Sequence, residues 1–127
     1  MRIKEASIES GLSADTIRYY EKIGILPRIG RDGEGQRVFN KDNLGWMSIL
    51  YWLRKTGMSM KEMSRYAHLV HSGQETIPER VEILQRHGEL LAERKLELAR
   101  CEKIIENKLR VYGDPECFKA IKLNKTT

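Results

Sequence analysis

The chain has 127 residues, a net charge of +5 and two cysteines, which leaves room for one compact domain and an appendage rather than two full cores. No apolar run is long enough to cross a bilayer, and Met1-Arg2-Ile3-Lys4-Glu5 does not read as a signal peptide, so no membrane partner is expected. Two cysteines without short-range pairing fit a reducing cytoplasm. The positive excess lies in the first part: residues 1–71 carry twelve Lys/Arg against eight Asp/Glu, residues 72–127 eleven against ten.

Residues 3–10 form the first expected helix, with Ile3, Ala6 and Ser10 turned inward. Gly11-Leu12-Ser13 turns the chain into a second, short helix capped by the Ser13 hydroxyl and stopped at Gly24, with Pro27 beyond. Ile17 and Tyr20 share one face of it at helical spacing, with Ile23 near that stripe. Thr16, Arg18, Tyr19 and Lys22 lie on the other, and their donors and flat rings suit phosphates and base edges. A helix this short is not stable alone, so the rest of the domain must hold it while its polar face stays free. Helix, glycine-containing turn, capped helix is the helix-turn-helix pattern.

From Arg28 to Phe39 the character changes. Gly30, Gly33 and Gly35 break any helix, and Asp32-Gly33 is a hairpin dipeptide, so Arg28-Ile29 and Arg37-Val38-Phe39 are expected as two short strands. Two readings are open for this loop: a solvated surface turn, or a wing that lays the guanidinium groups of Arg28, Arg31 and Arg37 on phosphates. Asn40 or Asp42 caps a third helix over about 42–55, whose Leu44, Trp46, Met47, Ile49, Leu50, Trp52 and Leu53 are dense enough for a core element. Ser59 caps a fourth over about 60–71, with Met60, Met63, Tyr66, Ala67, Leu69 and Val70 as inner positions. Gly57-Met58-Ser59 between them, flanked by Arg54, Lys55 and Lys61, could serve as a second wing.

Residues 72–77 are a polar joint, and Pro78 suits the first turn of a long helix that runs to Tyr112. Ile77, Leu84, Leu91, Leu98, Ile105 and Tyr112 recur every seven residues, and the adjacent series Ile83, Leu90, Glu97, Ile104, Val111 is apolar in four of five places. A strict seven-residue stripe is a coiled-coil seam. With too little chain following to fold back over it, the partner expected is a second copy in a two-fold dimer, with Leu84, Leu91, Leu98, Ile105 and Tyr112 as seam residues. Gly88 and Lys95 interrupt the companion position. The fold class is therefore mainly α: a winged helix-turn-helix domain (1–71) with a small β-hairpin wing, a joint (72–77), a dimerisation coiled-coil helix (78–112) and a loosely patterned tail (113–127).

Thr16-Ile17-Arg18-Tyr19-Tyr20-Glu21, Ile23-Gly24-Ile25-Leu26, Gly35-Gln36-Arg37-Val38-Phe39 and Gly57-Met58-Ser59, in this order and followed by the long helix, resemble the MerR family of bacterial transcription regulators. The resemblance spans about residues 1–112. It implies a homodimer with an antiparallel coiled coil that binds double-stranded DNA at a palindromic operator in an overlong promoter spacer. Such a dimer distorts the DNA so that RNA polymerase engages both promoter elements. Carried over by position, Arg18, Tyr19 and Tyr20 are recognition-helix contacts, Tyr20 being open to a mainly core role as well. Arg31 and Arg37 are wing contacts and Lys61 part of the second wing, and Thr16 joins the DNA-binding set from the polar face of the helix. Gln36 stands where the family commonly has an aromatic, Phe39 where Tyr is more frequent, and Ala6-Ser7 replaces a bulkier pair.

No carboxylate pair, triad, phosphate loop or metal motif is present, so no enzyme activity, cofactor or metal is expected. The family's metal sensors use cysteines at both ends of the long helix, whereas here only Cys117 follows it. The segment from Glu62 to Gly73, with Thr76, Arg80, Ile83 and Leu84, is similar to the short aldehyde- and thiol-stress branch, but Trp52 stands where that branch's sensor thiol is expected. Cys101 and Cys117 are the remaining redox or effector candidates, and a small-molecule effector near Trp52, Tyr66 and Phe118 stays open. The competing class is a coiled-coil adaptor whose winged domain binds a protein instead of DNA.

Overall fold

The computed structural model describes residues 1–114; Cys117, Phe118 and the rest of the tail lie outside them. The elements are α1 (Ile3–Ser10), α2 (Ala14–Lys22), α3 (Lys41–Lys55), α4 (Met60–His71), a single 3-10 turn (Gln74–Thr76) and α5 (Ile77–Tyr112). Met1–His87 pack as one compact unit, which takes in the joint and the first turns of α5.

Local chemistry sets the starts and stops. The Ser13 hydroxyl accepts from the Thr16 N–H and the Ser59 hydroxyl from the Glu62 N–H, each filling one vacancy of a helix N-terminus. Asn40, one of the two residues considered, caps α3 in a reciprocal box with Asn43. Gly11 ends α1 with φ at +86°, and a Cβ built there would lie 2.8 Å from the Tyr51 ring, so both backbone and packing require glycine.

The core of this unit collects Ile17 and Tyr20 from α2, Ile25, Leu26 and Ile29 from the segment after it, and Phe39 from the far side of the wing. Ala6 of α1, Leu12 of the turn after it, Met47, Leu50 and Leu53 of α3, Met58, Met63, Tyr66, Ala67 and Leu69 in and before α4, and Ile83 of α5 complete it. Trp46 packs at its edge, stacks on Tyr66 with ring centroids 5.7 Å apart, and donates its indole N–H to the Ile25 carbonyl at 2.9 Å. Two of the apolar residues whose density made this helix a core candidate are not buried: Ile49 and Trp52 are exposed on α3, Trp52 by 59%. A helix with apolar residues almost all around has more candidates than one buried face can hold.

The joint is tied rather than loose. The buried Thr76 hydroxyl meets the Leu69 carbonyl at 2.6 Å, and Arg80 returns from α5 to the Thr76 hydroxyl at 2.8 Å and to the Gly73 carbonyl. One turn pair further on, buried His87 places Nε2 2.8 Å from the Thr56 hydroxyl at the end of α3. That makes it a satisfied interior histidine.

Candidate nucleic-acid interface

Helix α2 divides its residues cleanly. Ile17 is fully buried and Tyr20 nearly so, while Arg18 and Tyr19 are exposed and Thr16 is half-buried. The burial gives a nine-residue helix the support it lacks alone. Tyr20 belongs to the core: its hydroxyl points at the Met60 sulfur, 3.8 Å away, and burial pushes its pKa up. With 4% of it exposed, Tyr20, named above as a recognition-helix contact, serves first as the core anchor of α2. Ile23, near the same stripe, is exposed instead. Arg18 leans on Asp15 at 3.2 Å, an exposed pair of little energetic weight that leaves the guanidinium available.

The wing differs from the expected hairpin. Among the described residues it has no strand, only an isolated antiparallel bridge between Arg31 and Arg37. The turn itself is well made: the Asp32 carboxylate accepts from the Glu34 and Gln36 N–H groups, and Gly35 N–H donates to the Asp32 carbonyl. Those amides hold the Asp32 carboxyl below its ordinary pKa, with help from Arg2. Glycines at 30, 33 and 35 shorten the ladder, because each removes a side chain that could pack across it.

Pins at the base replace the missing ladder. Phe39 N–H donates to the Met1 carbonyl at 2.7 Å, and Arg2 pairs with Asp32 at 2.7 Å and bonds Gln36. On the inner side Glu21 of α2 accepts from Arg37 Nε at 2.7 Å and from the Ile29 N–H at 2.8 Å. Burial pushes the Glu21 carboxyl up, but the Ile29 amide and Arg37 outweigh it, and its pKa lies below the ordinary value. A carboxyl depressed on folding stabilises above its unfolded pKa and loses that contribution as pH falls through the folded one. The tie therefore holds at neutral pH and is lost only as pH falls below the ordinary glutamate range.

Arg37, foreseen as a free phosphate contact, is thus largely committed to Glu21. Its side chain is 21% exposed. Arg18, Lys22, Arg28, Arg31 and Arg37 line an open groove of about 440 Å³ between α2 and the wing, with Glu21 the one acid among them. An adjoining hollow of about 320 Å³ shares Arg18, Arg31 and Arg37 and adds Arg2. A concave surface lined by one sign of charge concentrates its field on an incoming polyanion. Sequence reasoning brought together Thr16, Arg18, Tyr19 and Arg31, but missed the structural parts played by Glu21, Arg2 and Asp32. Glu21 sits inside the quoted motif, one turn from Arg18, and an acid within a basic patch was the available signal.

The second turn is firm. Met58 is buried, Gly57 takes φ of +104°, and Arg54 donates to the Met58 carbonyl at 3.1 Å. Lys61 is exposed on the first turn of α4. Of the seam residues, Leu84 packs against the core, whereas Leu91, Leu98, Ile105 and Tyr112 are exposed along α5. Cys101 is an exposed free thiol. Among the described residues no group of three or more metal-ligating side chains occurs, and no helix is long and apolar enough to cross a membrane.

Comparison with known proteins converges on one family. The model of the MerR helix-turn-helix family of regulatory proteins matches residues 1–69. An HTH-type transcriptional regulator of Haemophilus influenzae is 36% identical over 118 residues, covering 93% of this chain and 87% of its own. Among solved structures, a MerR family transcriptional regulator from Listeria monocytogenes superposes with a TM-score of 0.82 at 33% identity, covering 98% of this chain and 95% of that one. HiNmlR, a MerR family regulator lacking the sensor domain and crystallised bound to promoter DNA, gives 0.82 at 34% identity, covering 96% and 97%. The chain belongs to the MerR family and is a DNA-binding transcriptional regulator of its helix-turn-helix type.

Proposed function

We propose that the protein acts as a homodimer on a palindromic operator within a promoter spacer, distorting the duplex to control how RNA polymerase engages the promoter. Each protomer inserts α2 into the major groove, with Thr16, Arg18 and Tyr19 toward base edges. Arg28 and Arg31 take phosphates from the wing, with a lesser share from Arg37, and Lys61 takes one beside the second turn. The observation that carries this reading is the groove in which Arg18 and Lys22 of α2 and Arg28 and Arg31 of the wing face a common space. Exposed apolar residues on α5, repeated every seven positions, support a second copy as the dimer partner.

The test is Arg18→Ala, assayed against a duplex that the full chain selects from a randomised pool. Specific binding is expected to fall by about five- to 150-fold while sedimentation still reports a dimer, since a bidentate base contact contributes about 1–3 kcal/mol. Undiminished binding would remove α2 from the interface. A protein-binding adaptor would show little salt dependence, whereas phosphate-mediated binding weakens steeply between low and moderate salt.

A further inference from the structure

An acid at the centre of a surface built to receive a polyanion is unfavourable on electrostatics alone, and Glu21 occupies that place. Its side chain is only 12% exposed, and its two oxygens are divided between the two legs of the wing. Oε2 takes the Ile29 N–H on the entering leg, and Oε1 takes Arg37 Nε on the returning leg. The legs share a single bridge, Arg31 to Arg37, and a two-stranded ribbon so short does not hold its own shape. The outer pin, Arg2 with Asp32, is more exposed and correspondingly weaker.

We infer that Glu21 is a positioning residue: its carboxylate sets the wing at a fixed distance from the recognition helix, so that Arg18 on α2 and Arg28 and Arg31 on the wing meet one duplex together. The inference rests on the reading that this surface binds DNA. Ile29 is the fulcrum, because its side chain is buried and its amide is held by Glu21 while Arg28 and Arg31 flank it on the chain. Pairing with Arg37 also cancels the acid's charge where phosphates must approach.

The sign of a single substitution separates this role from that of an incidental acid. Glu21→Gln removes a negative charge, which by electrostatics alone tightens binding to any duplex. It also loses at least one of the two bonds, because an amide has only one oxygen to accept with. Binding is measured across a salt series to the selected duplex and to a random duplex of equal length. Affinity for the selected duplex is expected to fall about tenfold, as for the loss of a charged hydrogen bond. Affinity for the random duplex should hold or rise. The salt dependence for the selected duplex should flatten by about one phosphate's worth, a slope change near 0.9. Equal or tighter binding to the selected duplex overturns the inference. Glu21→Asp keeps the net charge and shortens the reach by one methylene, so it should lower selected-duplex affinity and leave random-duplex affinity unchanged; if Glu21→Gln fails to fold, this variant decides. Arg18→Ala measured alongside separates the two claims. If it too leaves binding intact, the interface is misplaced; if it alone loses binding, only the positioning role is lost.

Discussion

The two ends of α5 carry the same seven-residue rhythm and lead opposite lives. In the first turns Ile83 is 1% exposed and Leu84 packs beside it, both within the unit formed by Met1–His87. Beyond Gly88, Leu98 is 66% exposed and Ile104 68%, and from Leu91 to Arg110 the helix has no buried residue. Periodicity thus reports that a stripe must be covered, not what covers it. Near the joint the cover is the chain's own α3 and α4 core; further along, the proposed cover is a second copy.

The largest effect that tests this contrast is Ile83→Ala. It should cost about 2–5 kcal/mol through lost burial and the cavity left behind, visible as a lowering of the denaturation midpoint whose size does not depend on protein concentration. A loss that vanishes at high concentration would place Ile83 in an intermolecular seam instead. Leu98→Lys should leave the DNA-binding unit folded and convert the proposed dimer to monomers with weak half-site affinity. Sedimentation as an unchanged dimer would show that the seam does not hold the copies together. The wild-type midpoint should rise with concentration, as mass action requires of a dimer, and that of Leu98→Lys should not.

What could be read from the sequence follows how local each signal is. The Ser13 and Ser59 caps, the Gly11 turn and the face formed by Ile17 and Tyr20 are set by a few neighbouring residues, and the structure places each as expected. Trp52 reads as core from the density of apolar residues in α3, which does not say which of several faces is buried. Tyr20, a Tyr at the edge of a stripe, reads both as core and as contact until the neighbouring Met60 is known. The wing is a turn and one bridge rather than two strands: Asp32-Gly33 specifies the turn, but a ladder needs side chains that cross-pack, and three glycines withhold them. Glu21 with Ile29 and Arg37, or Thr56 with His87, join residues 8 to 31 positions apart, and no local pattern announces such pairs.

Gly88 marks the boundary between the two regimes and offers the smallest and most discriminating test. It lies inside α5, where glycine is unfavourable relative to alanine by roughly 0.5–1 kcal/mol, because it gives up more backbone freedom on folding. Among the described residues a Cβ built at this position meets nothing within 4 Å. Gly88→Ala should therefore stabilise α5 by that amount, read as a higher denaturation midpoint, with the dimer and its DNA affinity unchanged. If the variant is instead more helical but dimerises less tightly, the space that is open within one chain is filled by the backbone of its partner. The intermolecular seam would then begin directly after His87, and the glycine would be there for a close helix crossing rather than for flexibility.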